Sequence, residues 1–267
     1  MPLGYHAIAG ELRARIERRE YEPGSRLPAE DALAREFAVS RQTVNKALLR
    51  LRAEGLVRVE RGVGTTVREL PMLTTKRIGR QAPAQREADE ARGAFQGELA
   101  SLGYTSRSDV EVSSERAPAD VARAFEDDDL PEGGHRRRSR RELETAGIAI
   151  VRRRKMFAGD VPVQLATGYY PAGLAEGTEI EQQDTGPGGT YSRLAELGHA
   201  PVKFRERIRL RLATDDEAAF LRLDTEQRVY DVERIASDSN GRAVEVNMIV
   251  MPAHQWQLVY EWTTENG

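Results

Sequence analysis

Residues 27–67 read LPAEDALAREFAVSRQTVNKALLRLRAEGLVRVERGVGTTV, from Leu27 to Val67. Two short helical patterns meet at a turn, and the second ends at Gly55. Ser40 suits an N-cap, because its hydroxyl can accept from a free N–H of the first turn. Val44, Leu48 and Leu51 then recur at i, i+4 and i+7 and form one apolar stripe. Gly55 fits the left-handed position that ends a helix. The opposite face carries Gln42, Asn45, Lys46 and Arg50.

After Gly55, Leu56-Val57-Arg58-Val59 alternates as a half-buried strand. Glu60-Arg61-Gly62-Val63-Gly64 makes a tip whose glycines permit close approach to another surface. Thr65-Thr66-Val67 returns as a second strand. Helix, turn, helix and hairpin in this order predict a helix-turn-helix with a wing. In such proteins the start of the second helix enters the major groove. Arg41 suits guanine, and Gln42 and Asn45 suit adenine. Ser40, Thr43 and Lys46, with the backbone N–H groups at the helix start, suit phosphate. Arg61 beside Gly62 suits the sugar-phosphate backbone or a minor groove.

The stretch resembles the winged helix-turn-helix of GntR-family bacterial repressors. Pro23-Gly24-Ser25-Arg26-Leu27-Pro28-Ala29-Glu30 is similar to their "PGxxLPSE" opening. Val39-Ser40-Arg41-Gln42-Thr43-Val44 is similar to "VSRxTV", Glu54-Gly55-Leu56 to "EGL", and Arg61-Gly62-Val63-Gly64-Thr65 to "xGxGTxV". The resemblance implies DNA contacts at Ser40, Arg41, Gln42, Thr43, Arg61 and Gly62. Three positions depart from the family pattern. Ala29 replaces a Ser and loses a cap worth about 1 kcal/mol. Asp31 stands where many members place an Arg that touches DNA. Asn45-Lys46 replaces the common Arg-Glu/Gln pair, so the operator is expected to differ from the family's commonest sequences.

A chain of 267 residues suits two domains with substantial cores. The net charge of −3 divides unevenly: residues 1–70 hold 13 Lys and Arg against 10 Asp and Glu, and the remainder is acidic. A mildly basic first domain fits a polyanionic partner. The absence of Cys excludes a disulfide framework and a thiolate zinc site. No run of about 18 apolar residues suggests a membrane span. The opening MPLGYHAIAGELRARIERR has no signal-peptide pattern. A cytoplasmic protein, nucleoid-associated when on DNA, is expected, with no membrane partner, cofactor or metal.

Ile8, Leu12 and Ile16 predict an amphipathic first helix over 5–19, and Leu33 and Phe37 point inward from a second over 29–37. The expected domains are 1–69 for the DNA reader, 70–89 for a linker with an extended segment at Met72–Ile78, and 90–264 for the rest. In the latter, 87–102 reads as a helix ended by Gly103. Asp109–Ser114 reads as a strand and Pro118–Phe125 as a short helix. Arg136–Arg141 is a run of five Arg around Ser139, read as a solvated insertion or an auxiliary DNA arm. Strands are predicted at 148–157, 161–170, 202–212, 228–237 and 243–251, with helices at Tyr191–Leu197 and Asp215–Leu223. Thr214 and Glu217 form a capping box. Phe204–Leu212 alternates Arg with apolar residues, which predicts one wet and one buried face. Trp256 and Trp262 are read as packing residues.

The result is an α+β chain whose second domain is built on an antiparallel sheet. Its order resembles the UTRA ligand-sensing domain of the HutC branch of the GntR family, a fold shared with chorismate lyase. Arg154-Lys155-Met156 and Pro162–Pro171 are similar to its "R-x-R…P-v-a-l-E-t-s-y-l-P" stretch. Thr190-Tyr191-Ser192-Arg193-Leu194 is similar to "SlYxxL", and Asn240-Gly241-Arg242-Ala243-Val244-Glu245 to "dgxPvE". This resemblance implies an effector site at Arg154, Thr190, Tyr191 and Glu245. Met156 stands in place of a second Arg, Ala166 in place of a Glu, and Met251 where an aromatic is common. A phosphate dianion needs several charge-assisted donors, so a less polar effector than a sugar phosphate is expected.

The function expected is a homodimeric repressor released from an inverted-repeat operator by a small molecule. Two alternatives differ in kind: a C-terminal domain that only dimerises, and a residual lyase-like activity. The four His (6, 135, 199, 254) are scattered and no nucleophile or metal motif appears, so no catalytic residue is assigned.

Overall fold

The computed structural model describes residues 3–60, 64–68, 73–78, 94–101, 103–126, 145–224 and 227–261. Helices α1 (Tyr5–Glu17), α2 (Glu30–Glu36) and α3 (Arg41–Ala53) precede strands β1 (Val57–Glu60) and β2 (Gly64–Val67). The α3 stripe expected from the sequence is buried: Val44, Ala47 and Leu51 are at 0% exposure, against Ile8 and Leu12 of α1 and Leu33 of α2. Each fully buried Leu or Ile stabilises this small core by about 1.5–3 kcal/mol. Ala29 precedes α2 with no side-chain cap, as its substitution for Ser implies. β1 and β2 pair antiparallel from Val57 opposite Val67 to Glu60 opposite Gly64. The segment before α2 joins this hairpin, with Val67 N–H donating to Ser25 O and Leu27 N–H to Thr65 O. The hairpin is thereby anchored on both sides.

The second domain contains β3 (Leu73–Ile78), α4 (Ala94–Ser101), β4 (Ser106–Arg116), α5 (Ala119–Glu126), β5 (Ile148–Ala158) and β6 (Val161–Pro171). It continues with α6 (Ala172–Ala175), a 3-10 turn at Glu179–Glu181, α7 (Gly189–Glu196), β7 (Lys203–Leu212) and α8 (Asp215–Leu221). Strands β8 (Arg228–Ser237), β9 (Ala243–Pro252) and β10 (Trp256–Glu261) complete it. Six strands form one antiparallel sheet in the order β4-β5-β6-β9-β8-β7. The predicted strands differ from these only at their ends, apart from β4, which extends the expected Asp109–Ser114 in both directions. The Thr214–Glu217 capping box is formed at the start of α8. Among the described residues no helix is long and apolar enough to cross a membrane.

The extended segment expected within the linker is β3, and it pairs in parallel with β10, Leu73 opposite Trp256. This pair lies over the apolar half of one sheet face, where Leu73, Leu99, Met156, Ala166, Val232, Ile249 and Trp256 form a core. Trp256 Nε1 donates to Val163 O at 2.8 Å, so the buried indole keeps its polar group satisfied. Trp262 and the Arg136–Arg141 run lie outside the described residues.

One expectation is corrected. The apolar face of β7 is not buried: Phe204 is 50% exposed, Ile208 37%, and Leu210 and Leu212 54% each. The physical reason is topological. β7 is an outer strand, paired only to β8, so its apolar side chains project past the layer that covers the rest of the face.

Candidate functional site

At the start of α3, Ser40 Oγ accepts from Thr43 N–H at 3.2 Å and lies 2.8 Å from Thr43 Oγ1. The cap leaves Arg41, Gln42, Asn45 and Lys46 exposed on one side of the helix, opposite the buried stripe. One residue that sequence reasoning missed organises this face. Glu30 of α2 accepts from Arg41 Nε at 2.9 Å and from Asn45 Nδ2 at 3.0 Å. The Arg41 hydrogen bond, and then that from Asn45, holds the Glu30 carboxyl below its ordinary range. Glu30 thus fixes the Arg41 stem through Nε, and the two terminal guanidinium nitrogens can still meet a base edge as a fork. Asp31 Oδ1 stands 3.6 Å from the same Nε, so the departure at this position adds negative charge beside the reader. Arg61 and Gly62 lie outside the described residues.

The second site is built from the sheet's register. One row of residues crosses five strands: Arg152 opposite Gly168, Gly168 opposite Asn247, Asn247 opposite Arg234, and Arg234 opposite Glu206. A second row runs Arg154, Ala166, Ile249, Val232 and Ile208. Alternation along each strand puts both rows on the same face. One row is therefore polar, and the other is apolar apart from Arg154.

Beside the polar row, Tyr170 donates to Glu245 Oε1 at 2.5 Å and lies 3.1 Å from Thr190 Oγ1. Tyr191 of α7 donates to Glu245 Oε2 at 2.7 Å. Glu245 is 1% exposed and both its oxygens are engaged. Burial and the neighbouring carboxylate raise both tyrosine pKa values, so the hydroxyls remain donors. Arg234 forms an ion pair with Glu206 at 2.6 Å. Burial opposes its charge, but Tyr191, Glu206 and Glu245 together raise its pKa. Arg152 donates to the carbonyls of Ile180, Gln182 and Gln183 and so anchors the 3-10 turn.

The structure brings together Thr190, Tyr191 and Glu245, three of the four expected effector residues, through Tyr170. Arg154 sits one row away, and its buried Nε has no hydrogen-bond partner. Neither has the buried Oδ1 of Asn247. Unpaired buried polar atoms are costly, which makes this face a candidate site for a polar ligand group. Gly168 lets Tyr170 and Glu245 lie close against the strand, since a Cβ there would meet the Tyr170 side chain at 3.1 Å and Glu245 Oε1 at 3.4 Å. Tyr170, Arg234 and Asn247 were missed because only the cross-strand register reveals them.

With both sites described, sequence comparison becomes decisive. The profile of bacterial regulatory proteins of the gntR family matches residues 4–67, and that of the UTRA domain matches residues 137–257. The HTH-type transcriptional regulator SCO4628 of Streptomyces coelicolor is 30% identical over 265 residues, covering 97% of this chain and 92% of that protein. The chain belongs to the GntR family. Its GntR head followed by a UTRA domain is the arrangement of the HutC branch. The regulator Rv0792c of Mycobacterium tuberculosis is 27% identical over 245 residues, covering 90% and 78% of the two chains. The crystal structure of PhnF from Mycobacterium smegmatis shares the fold, with a TM-score of 0.53 at 20% identity over 97% of this chain and 100% of that one. A crystal structure of another GntR-family regulator gives 0.58 at 22% identity over 98% of each chain. This GntR chain is a DNA-binding transcriptional regulator, as its relatives are.

Proposed function

We propose that this regulator is a homodimeric repressor that reads an inverted repeat and leaves it when a small molecule occupies the polar row of the UTRA sheet. The observation that carries the DNA-reading half is the capped start of α3, with Arg41, Gln42, Asn45 and Lys46 exposed together. Arg41 and Asn45 would read bases, Ser40, Thr43 and Lys46 would grip phosphate, and Arg61 and Gly62 would supply the wing contact. Two-fold symmetry of a dimer demands a pseudo-palindromic site.

The exposed apolar face of β7 supports a second copy as its occupant. Edge strands of this length are ordinarily blunted by charge or cover. Three of the four arginines of the other face are already paired, Arg207 with Glu233, Arg209 with Asp231, and Arg211 with Glu217 and Asp231. A second β7 could therefore approach without large repulsion.

The effector is a molecule less polar than a sugar phosphate, with a group that accepts from Arg154 Nε and a group that donates to Asn247 Oδ1; Ala166, Ile249 and Val232 are already covered by β3, α4 and β10 and stay out of its reach. Thr190, Tyr191 and Glu245 would hold the polar end from above. Release follows only if the effector prefers the state in which the two heads are misplaced.

A gel shift against fragments of the neighbouring promoters tests the DNA-reading half. Wild type should select one fragment over random duplex, and Arg41→Ala should weaken that selection roughly tenfold or more. Unchanged selection by Arg41→Ala would show that α3 is not the reader. Thermal shift with a panel of sugar phosphates and apolar carboxylates tests the other half. Stabilisation by hexose phosphates alone would contradict an effector less polar than a sugar phosphate.

A further inference from the structure

The foot of the recognition helix is held by the UTRA domain. Arg52, in the last turn of α3, donates from Nε to Asp224 Oδ2 at 2.8 Å. The Arg52 carbonyl, which accepts from Gly55 N–H at 2.9 Å, also accepts from Gln227 Nε2 at 3.1 Å. The other end of the same amide, Gln227 Oε1, accepts from Arg68 Nη2 at 2.9 Å and from Asp224 N–H at 3.1 Å. Gln227 is 4% exposed and bonded at both ends to the head. Gly55, the residue that ends α3, has φ +75, and a Cβ built on it would overlap the His254 ring. Both ring nitrogens of His254 are buried without a partner, and so is Arg68 Nε. The contact is thus held closed at a cost in desolvated polar groups, as suits a contact that must also open.

The placement of these residues connects them to the effector rows. Gln227 immediately precedes β8, and His254 follows β9. β8 runs from the contact to Arg234, and β9 runs from Glu245 and Asn247 back to it. The two strands pair along their whole length, Val229 opposite Pro252 through to Ser237 opposite Ala243. The polar row therefore occupies one stretch of a paired two-strand bar whose end grips α3.

We infer that this contact is the coupling between effector site and DNA reader, with Gln227 and His254 as positioning residues that hold α3 in its operator-reading pose. The inference rests on the reading of the polar sheet row, with Arg154 beside it, as the effector site. In the docked arrangement the start of α3 is exposed while its foot is fixed, so the reading pose is the docked one. A ligand between Arg154, Asn247 and Arg234 shifts β8 against β9, and the shift arrives at Gln227 and His254 as a changed fit to Arg52 and Gly55.

The chain contains no Cys, so paired spin labels at Leu49→Cys on α3 and Glu196→Cys on α7 report the head's position in the full-length protein. Wild type should give one narrow label distance. Arg52→Asp or Asp224→Arg alone should broaden it and weaken operator binding about tenfold; the two together should restore both readouts, which a general loss of stability would not do. Glu245→Gln, in the effector site, should also shift the label distance. If wild type selects its operator yet the single swaps alter neither distance nor affinity, or Glu245→Gln leaves the distance unchanged, the coupling is overturned. A wild type that selects no promoter fragment would instead overturn the underlying reading.

Discussion

Acidification from about pH 7.5 to about pH 5.5 should loosen the grip of the UTRA domain on α3 by about 1.4 kcal/mol, or tenfold. The group responsible is His254. Burial against the head pushes its imidazole pKa down to about 3, nearby Arg68 pushes in the same direction, and Asp224 opposes them. When the contact opens, the ring returns to water and titrates near its ordinary value of about 6.5. The docked pKa is the lower of the two, so docking gains nothing from protonation. Its full strength is present above about pH 6.5 and is lost progressively as pH falls from there toward about 3. At about pH 5.5 the open form is roughly nine-tenths protonated while the docked form remains neutral, which gives the tenfold figure. The assay is the label distance between Leu49→Cys and Glu196→Cys across this range, repeated in His254→Phe. The Phe ring keeps the packing against Gly55 and cannot titrate, so its profile should be flat. An equal slope in the Phe variant would refute the assignment, as would a wild type whose distance does not respond.

Ser40→Ala removes the cap on Thr43 N–H and should lower head stability by about 1 kcal/mol in urea unfolding, with the secondary structure otherwise intact. Gly168→Val should push Tyr170 and Glu245 out of place and abolish stabilisation by whichever compound of the thermal-shift panel is active on wild type. A variant that is still stabilised would move the effector elsewhere. Leu210→Glu with Leu212→Glu should convert a dimer to a monomer in sedimentation at micromolar concentration, because burying like charges opposite one another is unfavourable. Retention of the dimer would exclude β7 as the interface.

The head was legible in the sequence because its determinants are local. The Ser40 cap, the Val44, Leu48 and Leu51 stripe and the Gly55 stop lie within a few turns of one another. The six strands of the antiparallel sheet were legible for the same reason, as was the Thr214 capping box; β10 was not. Contacts between distant residues were not. β3 pairs with a strand more than 170 positions away, and nothing local in Leu73–Ile78 distinguishes a paired strand from an extended linker. Gln227 and Arg52 are separated by 175 positions, and each looks like an ordinary surface residue. Thr190, Tyr191 and Glu245 were reached through family resemblance alone. Their partner Tyr170 lies in a different stretch, Pro162–Pro171, and only the geometry shows it bridging them. The alternation along β7 correctly predicted a two-faced strand and wrongly assumed that its apolar face had a cover within the chain, because periodicity does not reveal position in the sheet order.

The parallel pairing of β3 with β10 has a mechanical corollary. β2 ends at Val67 and β3 begins at Leu73, so the leash between the hairpin and the sheet has a reach of about 20 Å when fully stretched. A head released from its foothold therefore stays confined to a small volume. Its local concentration remains in about the millimolar range, and recapture is intramolecular. A transient departure of the effector would then be enough to restore operator reading, without waiting for two molecules to find each other.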